Sequence, residues 1–236
     1  MPELPDLSIY LTALSNRIEG EHLTAIRLAS AFVLRSVTPS IDDVVGHRVT
    51  GFRRIGKQIV IELEDHFFVI IHLMIAGRLR WYKPGVKVPA KIGLIAFDFS
   101  SGTLVLTEAG QKHRASVNIV GGFDELQKFN RGGLEIFDIS LKEFRETLST
   151  ENHTLKRSLT DQRFLAGIGN AYSDEILHHA RLSPMKQIRF MKDDEWQRLY
   201  KSCGVVLKEW TKLLAKKSGS SFPKKVTAFH DEMAVH

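Results

Sequence analysis

Cysteine is nearly absent from this chain. Cys203 is the only one in 236 residues. No disulfide can close within the chain, and a thiolate-rich zinc site is excluded in these residues. Cys203 lies in an apolar helical run with Val206 and Leu207, which predicts buried packing rather than reactivity. Apolar runs of membrane-spanning length are absent as well, and the chain opens without a signal peptide, so an intracellular, cytoplasmic protein with no membrane partner is expected. Internal repeats and low-complexity segments are also lacking. Acidic residues fall short of basic ones, 27 Asp and Glu against 33 Lys and Arg, for a formal charge of +6 and a pI near 9.4. The shortfall is uneven. Residues 151 to 236 hold 15 basic and 10 acidic side chains, a net of +5, which leaves 18 against 17, a net of +1, in the first 150. The positive field of the C-terminal third steers toward a polyanion, although lysine-rich solvated helices give the same excess.

What is present suits a soluble globular protein of one or two domains, 43% hydrophobic and 25% charged. Leu4, Leu7, Tyr10, Leu11, Leu14 and Ile18 recur at helical spacing. Pro5 and Asp6 fit the first turn of that helix and Gly20 ends it. Short β-branched runs follow: Leu23 to Leu28, Arg48 to Phe52, Gln58 to Leu63, Phe67 to Leu73, Leu94 to Phe99, Thr103 to Leu106 and Ser116 to Val120. Ser100-Ser101-Gly102 reads as a hairpin turn. Such spacing predicts a sandwich or barrel. From about residue 124 the period turns helical, with candidates over Asp124–Phe129, Leu141–Leu148, Lys156–Asp161, Ala171–Ala180 and Asp193–Leu214. Arg131-Gly132-Gly133 marks a loop, and Ser218 to Pro223 reads as a flexible segment.

The stretch Thr160 to Pro184 organises the rest. Gly167-Ile168-Gly169-Asn170 stands between an apolar turn and a helical run, with Asn170 expected as N-cap. A helix N-terminus opened by glycines offers free N–H groups to an anion, and in a basic protein the large anion to expect is a nucleic-acid phosphate. An ordinary helical corner has the same glycine spacing.

Four segments taken together resemble the Fpg/Nei family of DNA glycosylases. Pro2-Glu3-Leu4-Pro5-Asp6 is similar to that family's opening. Gly56 to Leu63 is similar to its β-hairpin lysine segment, His72 to Arg80 to its following strand and loop, and Thr160 to Pro184 to its helix–two-turns–helix motif, which a ribosomal protein and a topoisomerase family also use. The resemblance implies an α+β fold: an N-terminal β-sandwich carrying the N-terminal helix over residues 1–129, a linker at 130–139, and a helical DNA-binding domain over 140–236. It implies a bifunctional DNA glycosylase and AP lyase of base excision repair, a monomer associated with the nucleoid and acting on double-stranded DNA with damaged bases or abasic sites. Pro2 would be the nucleophile once Met1 is removed, attacking C1′ of the damaged nucleotide and leading through β- and δ-elimination to strand cleavage. A free α-amino group titrates near 8, so part of it is neutral at pH 7. Glu3 would be general acid and base, with Asp6 supporting it. Lys57 would complete the catalytic set with a phosphate contact beside the extruded nucleotide, and His72, Ile75, Arg114, Gly169 and Asn170 would contact DNA. By themselves Pro2 and Glu3 read equally as a plain helix start, and Lys57 as a solvated turn lysine. The alternative function is a non-catalytic relative that recognises damaged or bent DNA.

Three departures bear on the resemblance. The family commonly fills the hole left by the flipped base with a Met-Arg-Phe set. Here Ile75 stands at the Met position, and Glu108 to Ala115 offers Arg114 followed by Ala115, which is no aromatic wedge. Asp6 replaces the usual Glu. Family members usually end in a four-cysteine zinc hairpin, and Phe229 to His236 resembles only its lead-in. No cofactor is expected in these residues, and one zinc ion only if a four-cysteine tail follows His236, the expectation being that the sequence is truncated there.

Overall fold

Helix α1 (Leu4–Ile18) is the element shared by both halves of the molecule. In the computed structural model, which describes residues 1–110, 112–224 and 226–235, its periodic face is buried: Leu7, Tyr10, Leu14 and Ile18 are fully enclosed. Leu11, one step off that face, is half-buried. Gln111 (within the segment Glu108 to Ala115), Lys225 and His236 lie outside the described residues.

Among the described residues, eight strands form two antiparallel four-stranded sheets. One runs in the order β1 (Ala25–Leu28), β6 (Gly93–Asp98), β7 (Thr103–Glu108), β5 (Gly77–Tyr82). The other is β2 (Val49–Ile55), β3 (Gln58–Leu63), β4 (Phe67–His72), β8 (Ser116–Gly121). Their facing sides make the sandwich expected from the strand spacing. On β3 and β4, Ile59, Ile61, Leu63, Val69 and Ile71 join the main core, while Val60, Phe68 and Ile70 join a second cluster with Val120 and Leu126. Leu126 belongs to the short helix α2 (Phe123–Gln127), which covers the outer face. Because both faces are covered, these strands read as continuous apolar runs rather than strict alternation. Strand β5 was not among the β-branched runs. Its Gly-Arg-Leu-Arg-Trp-Tyr sequence holds by pairing with β7, Gly77 opposite Glu108 through Tyr82 opposite Thr103.

The helical half comprises α3 (Leu141–Leu148), α4 (Leu155–Thr160), α5 (Asn170–Ala180) and α6 (Asp193–Ser218). Ser140 and Glu143 form a reciprocal cap on α3, with Glu143 N–H donating to Ser140 Oγ and Ser140 N–H to Glu143 Oε2. Helix α6 buries Trp196, Leu199, Cys203, Val206, Leu207, Trp210 and Leu214 along one stripe, and burial pushes the Cys203 thiol up. The connecting stretch is pinned at both sides: Leu134 N–H donates to Phe164 O and Ala166 N–H to Leu134 O, while Glu135 pairs with Arg54.

Two expectations need correction. Asn170 is the first residue of α5, and Gly169 occupies the N-cap. Residues 218–223, expected as a flexible segment, are anchored instead. Phe222 is buried against Tyr10 and Trp81, with ring centroids 5.8 and 6.3 Å away, and Arg17 Nη2 donates to Ser220 O at 2.9 Å. The Ser-Gly composition concealed this aromatic anchor. Among the described residues no helix is long and apolar enough to cross a membrane.

Candidate active site

Lys57 stands on a two-residue hairpin. Ile55 pairs with Gln58, leaving Gly56 and Lys57 as the loop. Gly56 has φ +57°, which suits a residue without a Cβ. The tight turn aims Lys57 at the helical half, where it is 8% exposed. It lines a cleft of about 510 Å³ together with Met1, His72, Met74, Asn118, Lys128, Arg131 and Gln162. Burial lowers the Lys57 pKa, and the charge of Glu3 works in the opposite direction.

The two-turn segment between α4 and α5 is locked by Gln162. Its Nε2 donates to Thr160 O at 3.0 Å and Ile168 O at 2.7 Å, and its Oε1 accepts from Gly167 N–H at 2.9 Å. This clamp presents the N-terminus of α5 to the first residues of the chain. Leu4 N–H donates to Gly167 O at 3.0 Å. The Glu3 carboxylate then accepts three backbone N–H groups, from Gly169 at 2.7 Å, Ala171 at 3.1 Å and Tyr172 at 3.3 Å. The anion at this helix N-terminus is thus the protein's own side chain, and the Gly169 N–H expected to grip a phosphate is already committed to Glu3. Helix dipole and charge-assisted hydrogen bonds both favour that arrangement. Burial nevertheless dominates and raises the Glu3 pKa, against the opposing effects of Lys57 and the amides of Ala171 and Gly169. Gly169 is needed for space rather than conformation: a Cβ there would stand 2.6 Å from Glu3 Cδ and closer still to Lys57 Nζ. Glu3 and Lys57 therefore converge over one glycine.

Asp6 is fully buried one turn along. Its Oδ2 accepts the Glu3 N–H at 2.8 Å, so the shorter carboxylate reaches the residue it was expected to support. Burial raises its pKa, while hydrogen bonds from His230 and the Glu3 amide lower it. Pro2 is buried beside Glu3. The amino group of Met1 has its pKa lowered, chiefly by burial.

His72 closes another side of the cleft. Its Nδ1 accepts the Met74 N–H at 3.1 Å, which leaves Nε2 to carry the proton of a neutral ring. Burial, with the charges of Arg131 and Lys57, pushes its pKa down to about 4, so the ring is a neutral donor at physiological pH. Met74 itself takes a left-handed backbone, φ +51°, which turns Ile75 outward at the β4–β5 loop tip, 66% exposed. Arg114 is exposed, with its backbone N–H donating to Glu108 Oε2 at 2.8 Å, whereas Ala115 is buried. Asn170 is exposed at the rim.

The structure therefore brings together Glu3, Asp6, Lys57, Gly169 and Asn170, with His72 across the cleft. Ile75 and Arg114 sit on exposed loops. The sequence pointed to Arg131 only as a loop marker, yet its guanidinium acts on both Lys57 and His72. It also gave no hint of His230. An Arg ahead of two glycines was the available signal for the first. None was available for the second, whose partner lies 224 positions away. Among the described residues no group of three or more His, Cys, Asp or Glu is placed to hold a metal ion. A zinc hairpin would need ligands from outside them.

Known proteins give the arrangement a context. The family model described as the formamidopyrimidine-DNA glycosylase N-terminal domain matches residues 1–113, and the model of that enzyme's H2TH domain matches residues 135–222. A formamidopyrimidine-DNA glycosylase of Heliobacterium modesticaldum is 31% identical over 89% of this chain and 78% of its own length. One from Wolbachia sp. subsp. Brugia malayi is 27% identical over 84% and 74%. Among solved structures, Lactococcus lactis Fpg in complex with abasic-site DNA superposes with a TM-score of 0.82 at 25% identity, covering 90% of this chain and 80% of that one. MutM in complex with DNA containing carbocyclic 8-oxo-G gives 0.79 at 27%, with the same coverage. The sandwich and the helical half with its two-turn segment are thus matched by the two domain models and by the solved structures, and the chain belongs to the formamidopyrimidine-DNA glycosylase family.

Proposed function

We propose that this DNA glycosylase of base excision repair removes an oxidised base from duplex DNA through the secondary amine of Pro2 and then cuts the strand as an AP lyase. The observation that carries the reading is the position of Glu3. Its carboxyl sits at the N-terminus of α5 and beside Lys57, on the residue that follows Pro2 in the chain.

Removal of Met1, which lines the cleft, frees the Pro2 nitrogen. Its lone pair attacks C1′ of the extruded nucleotide, the C1′–base bond breaks with its electrons leaving on the base, and the proton shed by the nitrogen neutralises the departing base. Glu3, whose pKa is raised by burial, delivers a proton to the opening sugar oxygen, and the C1′–N bond becomes an iminium. Such a positioned carboxyl is worth ~10²–10⁴-fold. Loss of a C2′ proton expels the 3′ phosphate, and a second elimination expels the 5′ phosphate. Water then hydrolyses the iminium and returns the amine. Lys57, Arg131, Asn170 and the Nε2–H of His72 hold the phosphates flanking the extruded nucleotide. Ile75 and Arg114 enter the duplex from the exposed loops, Ile75 as the apolar plug. The Lactococcus lactis neighbour bound to abasic-site DNA supports this partner class.

Incubating the Met1-processed protein with a duplex carrying one oxidised base tests the reading. Base release with strand scission is expected. Intact binding with neither would leave a non-catalytic damage-binding relative.

A further inference from the structure

The tail after α6 returns to the active site. His230 Nε2 lies 3.2 Å from Asp6 Oδ1. The imidazole stacks on Trp210, with centroids 5.3 Å apart and planes at 26°, and Trp210 in turn meets Tyr172 edge-on. Three residues on, the Glu175 carboxylate on α5 accepts the Ala234 and Val235 N–H groups at 3.1 and 2.8 Å, and Lys217 pairs with Glu232. The tail is thereby fixed to α5 and α6, and its histidine is the group it brings to Asp6.

Asp6 has both oxygens committed: Oδ2 to the Glu3 N–H and Oδ1 to His230. It is fully buried, with the Tyr172 hydroxyl close by and interacting with it. Without the imidazole, the buried carboxylate would lose its partner at Oδ1 while lying close to the Glu3 carboxyl, and a buried carboxylate short of a donor protonates or moves. We propose that His230 is a positioning residue for the reaction, holding Asp6 so that the Glu3 backbone, and with it the Glu3 carboxyl, stays seated at the N-terminus of α5. This rests on the reading of Glu3 as acid and base.

Two variants separate the hydrogen bond from the packing. His230→Phe keeps a ring on Trp210 but has no donor. His230→Gln keeps an N–H at the end of the side chain. In single-turnover base release from lesion duplex, His230→Phe is expected to slow excision by about tenfold or more with unchanged duplex affinity, and His230→Gln to recover most of the rate. In an Asp6→Asn background the His230→Phe effect should vanish. Amide hydrogen exchange reads the same device without turnover: Glu3, Gly169 and Ala171 amides should exchange faster in His230→Phe than in wild type or His230→Gln. Wild-type excision with equal rates and equal exchange in all three proteins overturns the inference, as does an equal loss in Phe and Gln, which would mean packing alone. An inactive wild type overturns the reading of Glu3, and altered exchange would still show that His230 holds Asp6.

Discussion

Glu3 Oε2 accepts the backbone N–H of Gly169 at 2.7 Å across 166 positions of sequence. This contact joins the start of the chain to the helical half and fixes the carboxyl of the residue that follows Pro2. Glu3→Gln keeps the size and an acceptor oxygen but removes the charge. Excision should fall by ~10²-fold or more, while the weakened cap costs the fold only about 1 kcal/mol. Single-turnover kinetics beside a thermal melt checks both. A melt collapse matching the activity loss would make Glu3 structural.

Gly169→Ala tests the same convergence from the other side. The added Cβ lands on Glu3 and Lys57, and the backbone there is extended, φ −138°, so strain of the main chain is not involved. One methyl group should abolish excision by displacing one of the two side chains. Near-normal activity would show that they do not meet over this glycine.

Asn170 and Arg131 should weaken DNA binding in different ways. Asn170 carries no charge, so Asn170→Ala should reduce affinity for lesion duplex without altering its salt dependence, and should leave the chemistry of bound substrate nearly intact. Arg131→Ala should lower the slope of log affinity against log salt by about one. Titrations at several salt concentrations distinguish them. An unchanged affinity for Asn170→Ala would remove it from the phosphate grip.

His72 gives a pH signature. The unfolded chain protonates it near 6.5 and the folded protein only near about 4. Between those values the unfolded state binds more protons, so the fold loses stability as pH drops through that window and is indifferent to His72 above it. Melts of wild type and His72→Asn from pH 7 to 4 should show a shallower acid loss in the variant, and parallel curves would contradict the burial-driven shift.

Much of this was legible in the sequence for definite reasons. The α1 face, the hairpin lysine and the two-turn segment each carry a local pattern, a 3.6 period or a glycine at a turn. Strand β5 lacked a β-branched run because its stability comes from pairing with β7. The anion at α5 was read as a phosphate because helix chemistry shows only that an anion fits, and Glu3 lies too far along the chain to be recognised as that anion. Asp6–His230 and the Phe222 anchor are likewise long-range contacts with no local period.

The account stands or falls on Pro2. The direct test is borohydride reduction during incubation of the Met1-processed protein with abasic-site duplex. One covalent protein–DNA adduct should form, its attachment mapping to the N-terminal proline, and it should be lost when Met1 is retained or Pro2 is replaced by an N-acetylated residue. Absence of any adduct from a processed protein that still binds the duplex, or an adduct mapping to Lys57, would contradict it.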